Sequence, residues 1–128
     1  MGKGVYLLTV KAEFCASHCL RGYQGACESL HGHNFAVEVS VKGSRLTGDT
    51  ELLMDFKEIK ALLGAVLSRL DHAHVNDVPP FDRQNPSSEN LAAFIYEQMR
   101  RQLEHTDITV HQVSVSEKDT SKATYYEE

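Results

Sequence analysis

From Val5 to Phe14 apolar and polar side chains alternate, with Tyr6, Leu8, Val10, Ala12 and Phe14 on one parity. A period of two places such a row on one face of a strand, so this segment reads as half-buried β structure. The same parity, carried on, reaches Ala16 and His18. A second alternating run, from His33 to about Lys42, sets Phe35, Val37, Val39 and Val41 against Glu38, Ser40 and Lys42. His31 and His33 share the parity of its apolar face. Gly43 to Thr50 has the composition of a turn or loop. The period then changes: Phe56, Ile59, Leu62, Leu63, Val66 and Leu70 recur at helical spacing. Asp55 and Glu58 precede that stripe in the capping-box arrangement. Asp71-His72-Ala73-His74 follows it, and Pro79-Pro80 makes the next segment irregular. A second helix starts at Ser87 or Ser88, with Glu89 near its positive end and Leu91, Phe94, Ile95, Met99 and Leu103 as its stripe. Ile108 to Glu117 reads as a third strand, with Val113, Val115 and Glu117 on one parity. Thr120-Ser121 marks a turn, and Ala123 to Tyr126 reads as a fourth strand.

The predicted order is therefore ββααββ. That is an α+β layout, a four-stranded antiparallel sheet with two helices on one face and no parallel crossover. The chain of 128 residues fits one domain, residues 1–128, with no internal repeat or long linker. With 41% hydrophobic and 24% charged residues it has a soluble globular composition. The net charge of -5 argues against general nucleic-acid binding, although a local basic pocket for a small anion is compatible with it. No stretch approaches the roughly 20 apolar residues that span a membrane, and no long apolar run follows Met1 as in a secretory leader. The three cysteines, Cys15, Cys19 and Cys27, are an odd number within a short segment. That is a poor disulfide framework and points to a reducing, cytoplasmic setting.

The candidate chemistry centres on Cys27-Glu28-Ser29-Leu30-His31-Gly32-His33. His31 and His33, two apart in an extended segment, point to one side. Gly32 between them lets backbone or ligand approach closely. His18 closes the first strand as these two open the second, so antiparallel pairing can gather all three. Three neutral imidazoles with one open position make a catalytic zinc arrangement. A rival is a closed site built on Cys15, Cys19 and Cys27. A third reading has the histidines as ordinary hydrogen-bonded residues, with Cys15 and Cys19 packed as small hydrophobes. Cys27, close to the metal pair, can supply a thiolate base. Asp71 can orient and charge-stabilise His72, or the two can cap the first helix at its negative end. Glu117, on an apolar parity, needs a partner. A guanidine-like heterocycle would offer it two donors in fork geometry, and solvent at a strand end is the alternative.

Together these motifs resemble the 6-pyruvoyl-tetrahydropterin synthase superfamily over almost the whole chain, and within it the branch of the 6-carboxy-5,6,7,8-tetrahydropterin synthases. Phe14-Cys15-Ala16-Ser17-His18 resembles the first zinc motif, and Cys27 to His33 the Cys-x3-His-Gly-His motif. Leu53-Met54-Asp55-Phe56 and Asn85-Pro86-Ser87-Ser88-Glu89-Asn90 resemble the two helix starts. Leu70-Asp71-His72 carries the Asp-His pair, and Val113-Ser114-Val115-Ser116-Glu117 ends at the pterin-anchoring glutamate. The resemblance implies a tunnelling (T-) fold and a homo-oligomer, usually a hexamer, with active sites between subunits. It implies Zn2+ on His18, His31 and His33, and Cys27, Asp71 and His72 as acid–base groups. Glu117 would then hold the pterin. The implied reaction converts 7,8-dihydroneopterin triphosphate to 6-carboxy-5,6,7,8-tetrahydropterin, releasing acetaldehyde and triphosphate, in queuosine and 7-deazapurine biosynthesis. Glu28 also makes a Glu-x2-His-Gly-His register, which some family members use to cleave the pterin side chain. A pyruvoyl product or related side-chain lyase activity is therefore the alternative, and a non-catalytic zinc-stabilised interaction module is an alternative of another class. Arg21 and Lys118 lie near the motifs, but the sequence assigns neither to the phosphates.

Overall fold

The computed structural model describes residues 2, 4–22 and 31–128, with His31 described through its backbone. Among these residues, five strands and two helices follow in the order β1 (Tyr6–His18), β2 (His31–Gly43), α1 (Phe56–Leu67), β3 (Ala73–His74), α2 (Ser88–Leu103), β4 (Thr109–Lys118) and β5 (Ser121–Tyr125). A short 3₁₀ turn, Val75–Asp77, follows β3. The strands form one sheet in the spatial order β3-β1-β2-β4-β5.

The two helices and the four longer strands match the periodicities in the sequence. The four-strand count and the chain order ββααββ are corrected: the sheet has five strands, and β3 lies between the helices. β3 also runs parallel to β1, pairing Ala16 with Ala73 and Ser17 with His74. Two residues are too few to show a period, so pattern alone could not separate β3 from the exit of α1. Its partner strand, not its own composition, makes it a strand.

β1 and β2 pair along their full length, Tyr6 opposite Gly43 and His18 opposite His31. The register sets Phe14 against Phe35, whose rings stack with centroids 4.8 Å apart. Val10, Phe14, Phe35, Val37 and Val39 then meet Ile59, Leu63, Leu91, Ile95 and Met99 from the helices in one continuous core. Each such side chain contributes about 1.5–3 kcal/mol relative to leaving it in water. Asp55 caps α1 by accepting from the Lys57 N–H at 2.9 Å. Ser87 caps α2 by accepting from the Asn90 N–H at 3.1 Å. The α1 stripe differs in two places: Phe56, at the first helical position, is exposed, and Leu67 is buried.

The pairing of β4 with β5 slips between Val115 and Lys118, where Ser116 and Glu117 together face Lys122. An extra residue of this kind bends a strand and re-aims its side chains. Glu117 lies at that bend.

Candidate metal centre and adjoining cavity

His18 ends β1 on the core parity and is 1% exposed. Its Nδ1 lies 2.9 Å from the Pro86 carbonyl oxygen, just before the α2 cap. A carbonyl only accepts, so Nδ1 carries the hydrogen and Nε2 of the neutral ring keeps its lone pair. That is the second contact a metal-binding imidazole ordinarily makes. Nε2 faces Glu117 Oε1 at 3.1 Å, and His33 Nε2 faces Glu117 Oε2 at 3.3 Å. The Phe35 ring meets both imidazoles edge-on, with centroids 5.0 Å from His18 and 5.9 Å from His33. An apolar wall thus fixes two nitrogens against one carboxylate.

His18, His33 and Glu117 offer ligand atoms that all lie within 4.8 Å of one another. Lone pairs so placed repel unless a proton or a cation sits among them. Two imidazoles and a carboxylate are a donor set that suits zinc and other first-row divalent ions. The residues present therefore fit a metal. Of the predicted ligands, the structure brings His18 and His33 together. The His31 backbone pairs directly with that of His18, while its side chain lies outside the described residues. Cys27 and Glu28 also lie outside them. Glu117 faces the imidazole pair and is part-buried, so it does not end its strand in open solvent.

Asp71 and His72 lie beyond α1, which closes at Leu67 with Ser68 as its cap. They dock on β1 through Cys15. The Cys15 N–H donates to Asp71 Oδ1 at 2.9 Å, and the His72 N–H donates to the Cys15 carbonyl at 2.6 Å. Asp71 Oδ2 lies 3.1 Å from His72 Nδ1. The Cys15 amide, and then His72, hold the Asp71 carboxyl below the usual carboxylate range. His72 has φ +58°, a left-handed backbone that costs an ordinary residue on the order of 1–2 kcal/mol. The two bonds to Cys15 hold it there.

A cavity of about 530 Å³ opens beside these groups, lined by Cys15, Ser17, Gly32, His33, Asn34 and His72–His74 among others. His33 stands in the cavity wall as well as in the metal group, but Cys15, Ser17 and Asn34 line the cavity from the face of β1 and β2 opposite to Phe14, His18 and Phe35. Cys15 does not pack as a buried hydrophobe. It is exposed on the other side of β1 from Phe14 and Ala16, and its thiol donates to Asn34 Oδ1 at 2.6 Å. Alternation along β1 puts it there. Cys19 is buried and disulfide-bonded, so the expectation that it packs as a free small hydrophobe, in a chain without disulfides, is corrected. Arg21 is committed to structure: its guanidinium donates to the carbonyls of Gln84, Asn76 and Phe81. Sequence reasoning missed the Pro86 carbonyl and the pairing of Ser17 with His74. A backbone carbonyl carries no residue-type signal, and Ser17 meets His74 only through the β1–β3 register.

A profile of the 6-pyruvoyl tetrahydropterin synthase family matches residues 7–128. The chain belongs to that family. It is 35% identical, over 95% of its length and 94% of the other protein, to a 6-carboxy-5,6,7,8-tetrahydropterin synthase from Synechocystis sp.. It is 36% identical to a dihydroneopterin monophosphate aldolase from Pyrococcus furiosus, over 73% of this chain and 74% of that one. The fold superposes on 6-pyruvoyl tetrahydropterin synthase of Caenorhabditis elegans with a TM-score of 0.83, covering 98% of each chain at 19% identity. The protein is accordingly a lyase-type enzyme of the 6-pyruvoyl tetrahydropterin synthase family, with the family's α+β fold. None of its described helices is long and apolar enough to cross a membrane.

Proposed function

We propose that this enzyme converts 7,8-dihydroneopterin triphosphate and one water to 6-carboxy-5,6,7,8-tetrahydropterin with loss of acetaldehyde and triphosphate, in the cytoplasmic synthesis of 7-deazapurines such as queuosine. The observation that carries the reading is the convergence of His18, His33 and Glu117, two imidazoles and a carboxylate whose ligand atoms lie within 4.8 Å of one another. The cavity lined by the Asp71-oriented His72 lies across the sheet from that group, so the acid–base pair of one copy serves the metal of another.

His18, His31 and His33 would hold Zn2+, with the Nδ1 bond to Pro86 fixing the His18 ring for the task. When bound, the ion supplies Lewis acidity to substrate oxygens. With the imidazoles as ligands, Glu117 turns its carboxylate to the amino-pyrimidine edge of the pterin and accepts two hydrogen bonds. Cys27 takes a proton from the side-chain carbon next to the ring. His72 moves protons on the other side, its Nδ1 oriented by Asp71 and its imidazolium form stabilised by the same carboxylate. Asp71, kept ionised by the Cys15 amide, stays a hydrogen-bond acceptor throughout.

Assembly completes the site. β3 covers only Ala16 and Ser17 of β1, which leaves the rest of that edge without a described strand partner. β5 closes the opposite end of the sheet. Edges of this kind pair with further copies, and a homohexamer with sites between subunits satisfies them.

The direct test is incubation of the zinc-loaded protein with 7,8-dihydroneopterin triphosphate and mass spectrometry of the products. Acetaldehyde with 6-carboxytetrahydropterin is the expected result. A second reading, cleavage or dehydration of the side chain to another pterin, is favoured by the Glu28 register and by the likeness to the Pyrococcus furiosus aldolase. A pyruvoyl or hydroxymethyl product would establish it in place of the first, and absence of turnover would refute both.

A further inference from the structure

Ser17 and His74 form a side-chain pair outside the acid–base groups already assigned. They are register partners across the parallel β1–β3 junction, and Ser17 Oγ lies 3.0 Å from His74 Nδ1. Both line the cavity that also holds His33, His72 and Gly32. Ser17 sits opposite Gly32, the residue between the two histidines of β2. With no side chain at Gly32, that stretch of the wall stays open. Ser17 engages one edge of the His74 ring, so Nε2 on the opposite edge remains for another partner.

The wall has a distinctive charge pattern. It carries three imidazoles, a hydroxyl, a thiol and a carboxamide, and the carboxylate beside it, Asp71, is already engaged by the Cys15 N–H and by His72. The neighbouring cavity on the sheet carries Glu13, Glu38 and Asp119. A phosphate is met by donors and by imidazoles, and repelled by carboxylates. Arg21, the cation nearest in sequence to His18, spends its guanidinium on backbone carbonyls.

We propose that His74, oriented by Ser17, binds a phosphate of the substrate's side chain at the end of this cavity. His74 is then a substrate-binding residue and Ser17 its positioning residue. This rests on the pterin reading above and names the group that recognises the substrate's charged tail.

Oxidised neopterin triphosphate and oxidised neopterin are fluorescent, unreactive probes of that contact. Their binding to the zinc-loaded enzyme is measured by fluorescence titration for wild type, His74→Ala, His74→Gln and Ser17→Ala, with thermal melting and zinc content as controls. Wild type is expected to prefer the triphosphate at least tenfold. His74→Ala should abolish most of that preference while affinity for neopterin itself stays within twofold. Ser17→Ala should reduce the preference in part, and His74→Gln, which keeps a donor near the Nε2 position, should restore part of it. An unchanged preference in His74→Ala, or an equal loss for both probes, overturns the assignment of His74 alone. Failure of wild type to bind either probe overturns the pterin reading and the phosphate contact with it.

Discussion

Glu117 faces two imidazole nitrogens, and a carboxylate there has two uses: to ligate the metal or to anchor a heterocycle. Glu117→Gln separates them. If three imidazoles hold the ion, the variant keeps its zinc by elemental analysis and loses substrate affinity, with KM raised at least tenfold. Loss of zinc would make Glu117 a ligand. Cys27→Ala should likewise keep zinc while turnover falls about 10²–10⁴-fold, the usual contribution of a general base. Asp71 makes a pH-dependent prediction. Its folded pKa lies below the unfolded value of about 3.9, so its stabilising effect is complete above that pH and is lost as pH falls through the folded pKa. Urea unfolding should therefore find Asp71→Asn less stable than wild type at pH 7, with the gap closing as the pH drops below about 4. His18, His33 and Asp71-His72 could be picked out by residue type and spacing alone. That Asp71 is bound to the Cys15 amide could not, because the bond spans 56 positions of chain.

The start of α2 joins stability to the metal centre. Ser87 caps the helix, and the preceding Pro86 carbonyl engages His18. Ser87→Ala should lower unfolding free energy by about 1 kcal/mol in urea titrations, the ordinary cost of losing a cap. It should also weaken zinc affinity in competition with a chelator, by about tenfold or more if Pro86 shifts. An intact affinity would show that the carbonyl is held by other contacts. Both helices were legible from stripe and cap residues, since those depend on a period that any right-handed helix of L-residues imposes. β3 was not, because a two-residue strand exists only by virtue of its partner.

At the scale of the molecule, the sheet edges beyond the short β1–β3 pairing have no strand partner among the described residues. Val5, Tyr6 and Leu7, at the start of β1, are about half exposed. Burial of these residues between copies, in the proposed assembly, would satisfy both features. Leu7→Asp should shift the protein to smaller species by sedimentation velocity and reduce activity along with assembly. A wild type that sediments as a single chain at micromolar concentration would remove the intersubunit site. The family and the α+β class were readable because motifs of local spacing recur in order along the chain. Alternation and helical periodicity arise within a few residues, so the amino-acid sequence by itself determined the long strands, the helices and the face on which His18 and His33 lie. Only the tertiary structure decided that Glu117 meets His18 and His33, that Cys15 anchors Asp71-His72, and that Ser17 holds His74. Those contacts depend on sheet register and strand order, which arise from packing among segments far apart in the chain.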